Sequence, residues 1–126
     1  MPDLSDLVGS EIRRLLLDHQ VTLFLAKGPR GSASMTAQVI IDAPFRLDQG
    51  GRVDEVDPNR KETLPPLCRL LHAAVADTSI DENVLTISLD EGTTITIGPL
   101  AGGASWELVG PGIPHLVAGP LDPGGP

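Results

Sequence analysis

Short segments of this chain alternate apolar with polar residues, which is the pattern of strands that bury one face. Two such segments, 20–26 and 34–42, flank a turn that contains Gly and Pro, so they are predicted to form a β-hairpin. In 83–89 and 93–97, Leu or Ile alternates with Thr or Ser on either side of the turn 90–92. Because Gly in that turn tolerates a positive φ, a second hairpin is predicted there.

Residues 63–76 carry the clearest helical pattern in the sequence. Thr63 suits the N-cap of an α-helix, and Pro65 and Pro66 are tolerated in its first turn. The apolar stripe of such a helix comprises Leu64, Leu67, Cys68, Leu71 and Val75. We predict an α-helix that packs against the sheet.

Two other segments are less regular. Residues 3–17 have apolar positions at helical spacing, which favours a helix interrupted at Gly9, but a strand over 11–17 fits them as well. Periodicity leaves both interpretations open. Residues 45–59 contain two adjacent glycines and several Asp, and they predict a turn-rich loop that runs over the surface.

These elements predict an α+β fold: a mostly antiparallel sheet built from hairpins, with one packed α-helix at about 63–76. Short strands at 105–109 and 115–118 are expected to complete the sheet. We expect one small domain over 1–120, followed by a disordered tail rich in Pro and Gly, 121–126.

The net charge of −8 is unevenly distributed, because every Lys and Arg lies at or before Arg69. Binding to nucleic acid needs cationic groups that displace counterions from phosphates, and the chain after Arg69 has none. We therefore expect no nucleic acid partner. An acidic surface would instead attract a basic protein, or simply keep the protein in solution.

The single cysteine indicates the cellular compartment of the protein. It cannot form an internal disulfide, which points to a reducing environment. The first residues are acidic where a signal peptide would be basic, and no apolar run approaches the ~20 residues that span a bilayer. The sequence predicts a cytoplasmic protein with no membrane partner.

Candidate chemistry is limited to one thiol and three imidazoles. Cys68 and His72 are four residues apart in the predicted helix, close enough to share a metal or to form a thiolate–imidazole pair. However, Cys68 lies on the apolar stripe, where a free cysteine usually behaves as a small buried hydrophobe. His19 and His115 are isolated in sequence. We therefore assign no catalytic residue, no metal site and no cofactor.

Trp106 and Glu107 are the candidate partner-binding residues. The size of Trp106 favours a place in the core, and the alternative is an exposed hot spot for a partner, with Glu107 beside it.

The order of several motifs resembles an uncharacterised family of small actinobacterial proteins, a domain of unknown function. The motifs are Asp18-His-Gln-Val-Thr-Leu, Ala43-Pro-Phe-Arg-Leu, Leu85-Thr-Ile-Ser-Leu-Asp-Glu-Gly-Thr-Thr-Ile-Thr-Ile and Trp106-Glu-Leu-Val-Gly-Pro. The resemblance implies that residues 10–18 form a strand. It implies no substrate, cofactor or catalytic residue.

The leading functional hypothesis is a non-enzymatic cytosolic domain that binds another protein, as an accessory or immunity-like partner. It follows from the acidic charge and from the lack of an assembled catalytic motif. One alternative is a small hydrolase or ligand-binding protein with a site built from Cys68 and the histidines. Another is a homo-oligomer in which an exposed strand edge pairs with its twin.

Overall fold

A computed structural model describes residues 7–27, 34–82, 84–98, 106–110 and 113–117, and these residues form two five-stranded antiparallel sheets. Sheet I has the order β1-β2-β3-β9-β10, and sheet II has the order β5-β4-β8-β7-β6. The strands of sheet I are β1 (Glu11–Leu17), β2 (Val21–Lys27), β3 (Ser34–Ile41), β9 (Trp106–Gly110) and β10 (Ile113–Val117). Those of sheet II are β4 (Phe45–Gln49), β5 (Arg52–Val56), β6 (Val75–Asp81), β7 (Val84–Leu89) and β8 (Thr93–Ile97).

Both predicted hairpins are confirmed. β2 pairs with β3 across the first predicted turn, and β7 pairs with β8 around Gly92, whose φ is 81°. The strand interpretation of residues 11–17 is confirmed by β1, which pairs with β2. The strands predicted near residues 105 and 115 are present as β9 and β10.

The loop predicted over residues 45–59 is wrong for most of its length, because β4 and β5 form a third hairpin there. The alternation of Phe45 and Leu47, both buried, with exposed Arg46 is the pattern of a strand. Gly50 and Gly51 make the turn, with φ values of 61° and 95° that suit a two-residue hairpin connection. The two glycines correctly predicted a turn, but the strands on either side of it were not predicted.

The α-helix predicted at 63–76, and with it the α+β class, is wrong: the described residues contain no α-helix, and the fold is mostly β. Two short 3-10 helices, Lys61–Thr63 and Pro65–Leu70, occupy the start of that segment. In a 3-10 helix every third residue shares a face. Leu67 and Leu70 are accordingly buried, and Leu64 packs against the core beside them.

The end of the segment predicted as a helix forms a strand instead. His72 has a φ of 73°, which takes the backbone out of any right-handed helix, and β6 begins at Val75. Val75, Thr78 and Ile80 pair with Leu89, Ile87 and Leu85 of β7, so strand alternation governs this segment.

The core lies between the two sheets, and one cluster joins buried residues from both inner faces. It includes Ile12, Leu23, Leu25, Val39, Ile41 and Leu108 from sheet I, and Leu47, Leu85, Ile87, Ile95 and Ile97 from sheet II. The prediction of a single domain over 1–120 stays a prediction, and the predicted tail, 121–126, lies outside the described residues. Within the described ranges, no helix has the length and apolar character that crossing a membrane requires.

Candidate functional site

The residues singled out for chemistry do not form a common site in the described part of the chain. Cys68 is exposed, because the 3-10 geometry turns Leu67 and Leu70 inward instead; the prediction that it lies on the buried stripe is wrong. His72 is exposed after the last turn of that helix, so the one-turn spacing expected to bring it beside Cys68 is lost.

The other two histidines lie in other elements of the fold. His19 is exposed in the β1–β2 turn, where it lines an open groove of ≈ 530 Å³ together with Lys61 and Glu62. His115 belongs to β10, and its side chain lies outside the described part of the structure. In the described ranges, no group of three or more His, Cys, Asp or Glu could hold a metal ion.

The outer faces of the two sheets differ sharply in chemistry. On sheet II the register aligns Ser79, Thr86 and Thr96 in one row, and Ser88 and Thr94 in the next. Arg46 and Asp48 extend these rows onto β4. Hydroxyl and charged side chains therefore cover most of this face, and the apolar exceptions are Val53, opposite Asp48 at the β5 edge, and Val84, opposite Asp81.

We call the corresponding surface of the other sheet the sheet I outer face. The register places two rows of side chains on it: Arg14, Phe24, Gln38 and Val109 in one, and Leu16, Thr22, Ile40 and Glu107 in the other. Each of these residues alternates along its strand with residues of the inner face. Four of the eight are large and apolar, where the corresponding rows on the other sheet carry mainly Thr, Ser and charged residues.

The sheet I outer face is accessible at its β1 edge. Leu16 is 54% exposed, and Phe24, Ile40 and Val109 are half-buried and lie outside the core cluster. The guanidinium carbon of Arg14 lies 5.8 Å from the centroid of the Phe24 ring, within range of a cation–π interaction.

The two predicted partner-binding residues point in opposite directions, as neighbours on a strand must. Trp106 is 3% exposed and belongs to the core cluster. Glu107 is half-buried and lies on the sheet I outer face, beside Ile40 in the register. The assignment of the pair to partner binding stays a prediction, and it now concerns Glu107 more directly.

A second surface is the edge of sheet II formed by β5. Gln49 and Arg52 flank a two-residue turn, so they form a hydrogen-bonded pair. Along the antiparallel strands, hydrogen-bonded pairs then alternate with pairs that are not hydrogen-bonded to each other. The backbone N–H and C=O groups of Asp54 therefore bond to β4, whereas those of Val53 and Glu55 point away from the sheet. Two open grooves flank this edge.

The first groove, of ≈ 470 Å³, lies between β5 and the 3-10 segment and is lined by Arg52, Asp54, Glu55, Glu62, Thr63, Pro65, Pro66 and Arg69. The second, of ≈ 480 Å³, lies on the opposite side and is lined by Pro44, Phe45, Arg46, Val53, Asp54, Glu55, Thr96 and Gly98. In the first groove, the pKa of Glu62 lies below its ordinary value, chiefly because of a backbone hydrogen bond at Glu62 itself and secondly because Arg60 Nε donates to Glu62 Oε1 at 2.9 Å.

Sequence reasoning missed both surfaces, although a signal for the first was present. Leu23-Phe24-Leu25, Ile40-Ile41 and Leu108-Val109 put apolar residues on both faces of their strands, which strict alternation does not require. The β5 edge had no such signal, because its strand was not predicted.

Comparison with known proteins gives a family and nothing finer. No curated protein matches the chain. No solved structure matches it. Over residues 3–123 it matches a family of unknown function, DUF6188, in agreement with the resemblance to an uncharacterised family, whose actinobacterial source stays a prediction. The match spans nearly the whole chain, and the protein therefore belongs to DUF6188.

Proposed function

We propose that this protein is a non-enzymatic cytosolic protein-binding domain, accessory or immunity-like in role, which binds its partner through the sheet I outer face. The observation that carries the proposal is the contrast between the two outer faces. Apart from Val53 and Val84, sheet II presents Thr, Ser and charged residues, whereas sheet I presents Leu16, Phe24, Ile40 and Val109.

The composition of the sheet I outer face resembles the centre of a protein interface. Aromatic residues and Arg are enriched among the residues that dominate binding energy, and Arg14 and Phe24 lie side by side here. Fully burying an exposed Leu such as Leu16 contributes about 1.5–3 kcal/mol. The net charge of −8 further favours a basic partner, because complementary charge speeds the encounter.

The hydrolase or ligand-binding alternative has no comparable support. Cys68 is exposed, and the positive φ of His72 removes the helical spacing that would have placed its imidazole beside the thiol. A homo-oligomer is supported by a different surface and is argued below.

The test is capture of partners from a lysate of the source cells with three tagged forms of the protein. Leu16→Asp puts a charge in the sheet I outer face at a position exposed enough to accept it without unfolding the sheet. Ser79→Asp makes the matched change at an exposed position on the outer face of sheet II.

We expect the wild-type protein and Ser79→Asp to retain one partner protein in similar amounts. With Leu16→Asp, the amount of that partner should fall at least about tenfold, because a central apolar contact is lost. Thermal unfolding of all three forms checks that the fold is unchanged. A capture pattern that is the same for Leu16→Asp and the wild type would refute the proposal.

A further inference from the structure

The β5 edge is the strongest remaining feature of the molecule. Val53 is 51% exposed, although it is a large apolar residue on a strand. In the described structure, no backbone hydrogen bond engages Val53 or Glu55 on the side away from β4. An edge strand of this kind is a template for another strand, and natural proteins usually protect it with charged side chains or Pro.

The charges on β5 do not protect it against its own copy. Arg52 and Asp54 lie two residues apart on the same side of the strand and form an ion pair of 3.4 Å between Arg52 Nε and Asp54 Oδ2. That contact lacks hydrogen-bond geometry, and Asp54 Oδ2 has no hydrogen-bond partner in the described structure. This side of the strand therefore carries one positive and one negative side chain, which an antiparallel copy of the same strand can complement.

We propose that two copies of this chain form a two-fold dimer by antiparallel pairing of their β5 strands, with Val53 opposite Val53 of the other copy. Val53 exchanges both of its backbone hydrogen bonds with its twin, since its N–H and C=O groups already point outward. The two sheets II then join into one continuous sheet.

Charge selects this register over its neighbours. With Val53 at the two-fold axis, Arg52 lies opposite Asp54 of the second copy, and each dimer contains this pair twice. An axis at Asp54 would place two Asp54 carboxylates opposite each other, and an axis at Glu55 would do the same with two glutamates. Like charges directly opposite are destabilising, whereas opposite charges stabilise a cross-strand pair.

The residues at the two ends of the paired β5 strands, Gly51 and Glu55, leave room for the pairing. Glu55 falls opposite Gly51 of the second copy, which has no side chain to obstruct the approach. The Gly51 N–H already donates to Asp48 Oδ1 at 3.2 Å, so its carbonyl is the group that meets the Glu55 N–H. On the outer side, the two Val53 side chains cover each other.

This inference is independent of the proposed function, because the sheet I outer face lies on the other sheet and stays open in the dimer. A pairing this short predicts a weak association, with a dissociation constant of roughly micromolar or above. Sedimentation equilibrium of the full chain over a concentration series is therefore the measurement. A monomer at every concentration would overturn the proposal.

Val53→Pro tests whether β5 is the interface. Pro removes an N–H that makes no bond to β4, so the monomer loses no ladder hydrogen bond, and an edge strand tolerates it. We expect dimerisation to weaken at least about tenfold, and the β-branched control Val53→Thr to dimerise nearly as the wild type does. Leu16→Asp should leave the dimer unchanged. A dimer that survives Val53→Pro, or that Leu16→Asp dissolves, contradicts pairing through β5.

The register is tested with two charge reversals, which also serve if Val53→Pro fails to fold. Arg52→Asp alone places Asp opposite Asp54, and Asp54→Arg alone places Arg opposite Arg52, so each variant should be monomeric. Mixed together, they form a heterodimer in which both cross-strand pairs are complementary. The intramolecular ion pair is broken in both variants and does not return on mixing. A mixture that stays monomeric, or single variants that dimerise as the wild type does, would overturn the register.

Discussion

Ile12 and Ala73 join the two sheets: the Ile12 N–H, in β1 of sheet I, donates a hydrogen bond of 2.9 Å to the Ala73 carbonyl, just before β6 of sheet II. The His72 N–H returns a 2.7 Å bond to the Ile12 carbonyl, and the Val75 N–H donates to the Ser10 carbonyl at 2.7 Å. This ladder satisfies backbone groups that the predicted helix would have used for itself. It closes one side of the core.

Replacing Ile12 should therefore be costly. Its side chain is fully buried, with 0% exposure, and Ile12→Ala leaves a cavity at the junction of the sheets. We expect the free energy of unfolding in urea to fall by about 2–5 kcal/mol. The control Leu16→Ala, at a residue 54% exposed on the same strand, should cost less than about 1 kcal/mol. Equal losses for the two variants would contradict the difference in burial between Ile12 and Leu16.

Leu67 and Cys68 are adjacent and should behave in opposite ways. Leu67 has 0% exposure, so Leu67→Ala should destabilise the protein by about 2–5 kcal/mol. Cys68 is exposed, so Cys68→Ala should change stability by less than about 0.5 kcal/mol.

The same 3-10 geometry is checked by labelling. A maleimide should modify Cys68 in the native protein within about tenfold of its rate in urea, because the thiol is accessible without unfolding. Protection by several orders of magnitude would restore the predicted helix, in which Cys68 faces the core.

Thr63 connects the 3-10 segment to the residue that follows β5 through hydrogen bonds of its side chain. Its Oγ1 accepts a hydrogen bond from the Asp57 N–H at 2.8 Å and donates to the Arg60 carbonyl at 2.7 Å. Thr63→Val keeps the shape of the side chain but leaves the Asp57 N–H without this acceptor. We expect a loss of about 1–3 kcal/mol in thermal or urea unfolding. Thr63→Ser, which keeps the hydroxyl, should recover most of it, and a Ser variant as unstable as Val would argue against the hydrogen bonds.

Glu62 gives stability a small dependence on pH. Because its pKa is lower in the folded protein than its ordinary value of 4.5, its ionised form stabilises the fold above that value. This contribution is lost as the pH falls through the folded pKa. Wild-type protein should therefore exceed Glu62→Gln in Tm at neutral pH, and the difference should vanish in acid. A difference that grows as the pH falls would reverse the sign of the effect.

Short-range signals recovered most of sheet I and the second hairpin. Alternation in β2, β3, β7 and β8 spans few residues, and Gly92 marks its turn directly, so local sequence suffices. For β1, periodicity left helix and strand open. The choice depends on pairing with β2 and on the ladder to Ala73, which are contacts between distant segments.

The sequence by itself therefore determined an acidic, mostly antiparallel protein with an aliphatic core, because alternation, turn residues and charge are local properties. Only the tertiary structure decided that residues 71–76 leave the helical path, that Cys68 faces solvent, and that Phe24 and Ile40 lie on an outer face. Each depends on which strands become neighbours. A strand shows two chemically similar faces in its sequence, and the partner sheet selects the one that is buried.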